Sequence, residues 1–186
     1  MNYIKKEFSN LATSFISDKT KEIHASLYEG YVNNTNKLLQ NFKTLDKASP
    51  EYAETKRRLG WEWNGMRLHE LYFENLGGNG LIDKEGKVFK NITEAFGSFE
   101  AWQEDFMATA KMRGIGWAIL YRDESGSLIN FWIDEHATGH PSGARPILIL
   151  DVFEHAYFLD FGKDRASYVE SFMKNIDWSV IEKRLA

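Results

Sequence analysis

Cysteine is absent from the 186 residues, and that one absence removes disulfides, thiolate zinc sites, iron–sulfur clusters and cysteine nucleophiles together. Any metal must then be held by imidazole and carboxylate. Proline occurs only 3 times, so the loops are expected to be poor in proline. No uninterrupted apolar run is long enough to span a bilayer, and the N-terminal stretch MNYIKKEFSNLATSFISDK lacks the continuous apolar segment of a signal peptide. The expectation is a soluble, cytoplasmic protein without a membrane partner. A basic excess is missing too: 23 Lys and Arg face 27 Asp and Glu, a net charge of −4. With no basic block to follow phosphates, nucleic acid is excluded as an expected partner.

What the chain has in quantity is aromatic side chains, 15% of the total, with 6 Trp, 8 Tyr and 13 Phe. A core built on large rings is expected, and a chain of this length buries roughly 70% of its unfolded surface. Ser17 and Asp18 precede a helical pattern in which Ile23, Leu27, Tyr31, Asn34 and Leu38 share one stripe. Thr44, Asp46, Ser49 and Pro50 form a turn, and a second helix is expected from about Glu51 to Leu76, stopped by Gly77, Gly78, Asn79 and Gly80. Two helices joined by a short polar turn make an antiparallel hairpin.

Helical character is expected to resume at Ile92 and again from Phe99 to Met112. The period then changes. Trp117–Tyr121 and Leu128–Ile133 read as a β-hairpin around a polar turn, and Pro146–Leu150 as a buried third strand that delivers the chain at Asp151. Helices return after Glu154, across Arg165 to Asn175 and after Asp177. The fold class is therefore α+β: an N-terminal long antiparallel helical hairpin, residues 1–86, then a C-terminal domain, residues 87–186, with a three-stranded antiparallel sheet and surrounding helices.

Histidine occurs 5 times, at 24, 69, 136, 140 and 155. Asp151 and His155 are four apart beside a buried strand, so they can converge on a metal or hydrogen-bond to each other. His24 and His69 lie in the two long helices, where a core histidine bonded to a carbonyl and a metal ligand are both open readings.

The segment DVFEHAYFLDF at 151–161 resembles the DxWEHAYY signature of the iron/manganese superoxide dismutases. ISDKTKEIH at 16–24, YVNNTNKL at 31–38, LHELYFENL at 68–76, FGSFEAWQEDF at 96–106, GIGWAILY at 114–121 and YVESFMKNIDW at 168–178 fall in family order, so the likeness covers nearly the whole chain. The resemblance implies one iron or manganese ion per chain held by His24, His69, Asp151 and His155, with superoxide as substrate, disproportionated to dioxygen and hydrogen peroxide. It implies that His136 takes the outer-sphere place that hydrogen-bonds to the metal's solvent, and that Tyr31 is the gateway tyrosine of the substrate funnel. Glu154 and Tyr157 resemble the residues of an isologous homodimer interface. His140 matches no family role and is expected at the surface.

Departures from the family pattern are specific. The stretch from His24 to Tyr31 is one residue shorter than usual, which is expected to reflect a lost helical bulge, and the usual gateway histidine is Leu27, with Tyr28 a candidate to replace it. Phe153 and Ile119 replace two tryptophans. Gly65, four before His69, is the residue of manganese-type members, so the metal stays open between iron and manganese. Attraction of an anion to a negative chain must be local, with the metal's own positive charge and Arg165 as the candidates. Two alternatives are a divergent non-catalytic metal-binding member and a mononuclear non-haem iron enzyme acting on another substrate.

Overall fold

The computed structural model describes residues 2–8, 11 and 13–185. Two long helices come first, α1 (Asp18–Asn41) and α2 (Pro50–Glu74). Each begins on a serine: the side chain of Ser17 accepts from Thr20 N at 3.2 Å and that of Ser49 from Tyr52 N at 3.1 Å, with Pro50 preset for the first turn. Helix α1 is α-helical throughout. With no bulge in it, the seven residues from His24 to Tyr31 make close to two turns.

The buried face of α1 is Thr20, His24, Tyr28, Val32 and Thr35, one position round from the expected stripe. Leu27 and Asn34 face out. The apolar pattern misplaced the face because the side turned inward carries threonines and a histidine. In α2 the buried set includes Glu62, Gly65, Met66, His69, Tyr72 and Phe73.

Helix α3 (Lys87–Phe96) starts five residues before the expected Ile92. Its cap, Gly86, offers no side chain; instead the carboxylate of Glu182 accepts from Lys87 N at 2.8 Å and Val88 N at 3.0 Å. A cap supplied from the far end of the chain leaves no local trace. Helix α4 (Phe99–Ala110) follows, opened by Ser98.

The sheet has β1 (Gly116–Arg122) in the centre, β2 (Leu128–Asp134) and β3 (Arg145–Asp151) on either side, all antiparallel. Trp117 stands opposite both Ile133 and Asp151. After β3 come a single 3-10 turn at Glu154–Ala156, the one-turn α5 (Phe158–Phe161), α6 (Arg165–Met173) and α7 (Trp178–Leu185).

The aromatic core is as large-ringed as the composition suggests, with Trp102, Trp117, Tyr72, Tyr168, Phe106 and Phe172 almost wholly buried. Arg184 of α7 ties the layers together. Its guanidinium donates to Leu71 O at 2.8 Å, Asn75 Oδ1 at 2.7 Å, Ile147 O at 3.1 Å and Glu74 Oε2 at 2.9 Å. Among the described residues no helix is long and apolar enough to cross a membrane.

Candidate metal centre

Four elements supply one side chain each: His24 from α1, His69 from α2, Asp151 from the last position of β3, and His155 from the 3-10 turn. Asp151 Oδ2 lies 3.1 Å from His24 Nε2, 3.3 Å from His155 Nε2 and 3.6 Å from His69 Nε2. One donor atom from each residue falls within 4.8 Å of the other three. The spacing of Asp151 and His155 works because the strand ends in a turn: Phe153 N donates to Asp151 Oδ1 at 2.9 Å, and the 3-10 turn brings His155 back over it.

His24, His69 and Asp151 are fully buried. His69 donates from Nδ1 to Gly65 O at 2.6 Å, so its Nε2 carries the lone pair and has no hydrogen-bond partner among the described residues. A buried acceptor nitrogen beside a buried carboxylate, with no proton to share, calls for a cation. Burial pushes the imidazoles of His24 and His69 below the ordinary histidine range, keeping them neutral and able to ligate. Burial works against ionisation of Asp151, but the neighbouring His155 and His24 outweigh it and hold the carboxyl below the ordinary carboxylate range. Three imidazoles and one carboxylate are a donor set that fits a single divalent or trivalent first-row ion.

The surroundings are aromatic. Tyr72, Phe73, Trp117 and Phe153 rings stand within 4.9–5.3 Å of one or another of the three histidine rings. Tyr168 donates to Asp151 O at 2.8 Å, and its oxygen pairs with Tyr72 at 3.0 Å. Phe153 stacks on His136 at 4.6 Å, and Ile119 is buried, so both tryptophan replacements stay apolar.

His136 and Tyr31 meet as a pair. Trp117 Nε1 donates to His136 Nδ1 at 3.0 Å, so the proton of a neutral His136 sits on Nε2, which reaches Tyr31 Oη at 2.7 Å. Tyr31 thereby accepts from His136 and keeps its own O–H to donate elsewhere. Burial, helped by the charges of Asp151 and Glu62, pushes the Tyr31 phenol up to about 12; burial pushes His136 down to about 4. Both are uncharged near neutrality. The Tyr31 ring lies 5.1 Å from that of His69, tilted by 32°.

Three expectations are corrected. Tyr28 does not stand in for the missing gateway histidine: it is buried, donates to Glu70 Oε1 at 3.0 Å and accepts from Lys6 N. Arg165 is committed to the chain itself, donating to Met112 O, Gly114 O and Tyr157 Oη. His140 is half-buried and bridges the Tyr121 hydroxyl and the His136 carbonyl.

The cation that does stand beside the pair is Arg58. Its guanidinium sits 5.2 Å over the Trp61 ring, which packs at 4.8 Å against His136. Glu62 pairs with Arg58 at 2.6 Å and accepts from Asn34 at 3.2 Å. Arg58, Trp61, Gly65 and His69 recur at helical spacing on α2, and that periodicity was the available signal.

Residues 84–184 match the family model for iron/manganese superoxide dismutases, C-terminal domain. The chain is similar to a superoxide dismutase [Fe] of Pyrobaculum aerophilum, 34% identical over 183 residues covering 95% of this chain and 87% of that protein. It is also similar to a superoxide dismutase [Fe] of Cupriavidus metallidurans, 39% identical over 86% of this chain and 82% of that protein. With a superoxide dismutase [Mn] 2 of Haloferax volcanii the identity is 36% over 83% and 79% of the two. Matched across both the helical hairpin and the sheet, the chain belongs to the iron/manganese superoxide dismutase family.

Proposed function

We propose that the chain is a superoxide dismutase and that His24, His69, Asp151 and His155 hold its single iron or manganese ion. The observation that carries this is the buried, proton-free Nε2 of His69 facing the Asp151 carboxylate, with His24 and His155 closing the set. An iron or manganese ion held there would supply the redox chemistry by which one superoxide is oxidised to dioxygen and the next reduced to hydrogen peroxide.

The rest falls to the chain. Reduction to peroxide consumes two protons per molecule formed, and Tyr31, accepting from His136, presents its O–H as the local donor. His136 holds that hydroxyl in place through its Nε2–H. Phe153, Trp117 and Trp61 exclude water around the pair, and Arg58 draws an anion toward it. The matched relatives include proteins named for iron and others named for manganese, which supports a reading with either ion.

The same reading extends to assembly as an isologous homodimer through Glu154 and Tyr157. Glu154 is exposed beside His155, Tyr157 packs on Tyr168, and Phe158 and Leu159 expose apolar surface next to them in sequence. We also assign residues 1–86 and 87–186 to separate domains, a division supported by the start of the C-terminal family match at residue 84.

The test is redox cycling in both directions. Superoxide added to the oxidised, metal-loaded chain should release dioxygen, and added to the reduced chain should yield hydrogen peroxide. A centre that reacts in one direction only is not a dismutase.

A further inference from the structure

His140 has no part in the chemistry described above, yet it is the residue on which His136 rests. Its Nε2–H donates to the His136 carbonyl at 2.9 Å. With the proton on Nε2, Nδ1 can only accept, and the Tyr121 hydroxyl donates to it at 2.7 Å. Tyr121 and Trp117 lie on the same face of β1, four residues apart. His136 and His140 are four apart in the turn that follows β2. Two donors on one strand face therefore meet two histidines in one turn: Trp117 holds the ring of His136, and Tyr121 holds, through His140, its backbone.

The turn itself is built to tight tolerances. Asp134 and Thr138 exchange backbone hydrogen bonds at 2.9 and 3.2 Å, and Glu135, next to His136, adopts a left-handed φ of 52°. Gly139 has φ 96°, and a Cβ there would lie 3.3 Å from Trp132 O. A non-glycine residue in that conformation persists only where its neighbours hold it. On its outer side His140 forms part of the wall of a cavity of about 610 Å³ together with Trp63, Asn64 and Pro141.

We propose that His140 and Tyr121 are positioning residues for His136, fixing the backbone from which its ring reaches Tyr31. In its activity readout this inference rests on the dismutase reading. Outer partners of a metal site typically contribute about 10–100-fold to activity or affinity. The variants are His140→Leu, which removes both bonds; Tyr121→Phe, which removes one hydroxyl and preserves the ring; and His140→Gln, whose amide can donate to the carbonyl and accept from Tyr121.

Two readouts are needed: turnover per bound metal, and imidazole nitrogen–proton NMR of the metal-free protein. His140→Leu and Tyr121→Phe should keep about one metal per chain, lower turnover by about ten-fold, and shift or broaden the His136 Nε2–H signal. His140→Gln should restore both. An unchanged His136 signal in Tyr121→Phe and His140→Leu overturns the inference, as does a loss of turnover that His140→Gln fails to rescue. If the wild-type chain does not dismutate superoxide while its His136 signal still responds, the dismutase reading falls and the positioning role stands.

Discussion

A Cβ added to Gly65 would stand 2.6 Å from the nearest ring carbon of Tyr31. The two residues are in contact across the helical hairpin because one of them has no side chain, and the same glycine's carbonyl accepts from His69 Nδ1. One residue therefore sets both the position of the Tyr31 ring and the tautomer of a candidate ligand. Gly65→Ala should push Tyr31 off His136. Alanine gains about 1 kcal/mol of helix propensity, against about 1–3 kcal/mol for overpacking, so the melting temperature should move little or fall. Turnover per metal should drop markedly with metal content unchanged, and a crystal structure of the variant should show a lengthened Tyr31–His136 contact.

Arg58 is exposed, packed on Trp61, and half-neutralised by Glu62. If it draws the anion inward, Arg58→Gln should lower the second-order rate with superoxide a few-fold at low ionic strength and flatten its salt dependence. Glu62→Gln should do the reverse. Stopped-flow rates at several salt concentrations check both signs, and equal salt slopes in all three proteins would remove Arg58 from the role.

Arg184 makes four hydrogen bonds, three of them to groups on α2 and its end and one to β3, from a side chain 13% exposed. Arg184→Met leaves Asn75 Oδ1 and three backbone or carboxylate acceptors short of a donor. A loss of about 2–5 kcal/mol is expected, read as a lower urea midpoint, while turnover per bound metal in the folded fraction stays near wild type.

Asp160 fastens α5 to the start of α1, accepting from Ser17 N at 2.9 Å and Thr20 Oγ1 at 2.7 Å. Burial opposes its ionisation, but these donors outweigh it and its carboxyl sits below the ordinary aspartate value. A group whose folded pKa is depressed stabilises above its unfolded pKa, and that contribution is lost as pH falls through the folded value. Asp160→Asn should therefore flatten the acid limb of the stability–pH curve, measured by thermal melts between about pH 3 and 6.

The parts of the fold that were legible from residues are those specified locally. Ser17 and Ser49 mark helix starts, the glycines at 77, 78 and 80 mark a stop, and the change to period two marks β1 and β2. What was not legible depends on distant partners. Glu182 caps α3 from the last helix, and the inward face of α1 carries Thr20, His24 and Thr35 among its buried residues. In the site, the convergence of Asp151 and His155 was readable from their spacing, and the family order added His24 and His69. The bonding of His140 was not, because its partner Tyr121 is nineteen residues away on β1.

The central claim is that one metal ion, bound by these four side chains, turns over superoxide. The most direct measurement strips the protein, reloads it separately with iron and with manganese, and follows superoxide decay per bound ion. The account predicts about one ion per chain and rapid turnover, proportional to loading, with at least one of the two metals. Full loading with neither metal supporting turnover would contradict it.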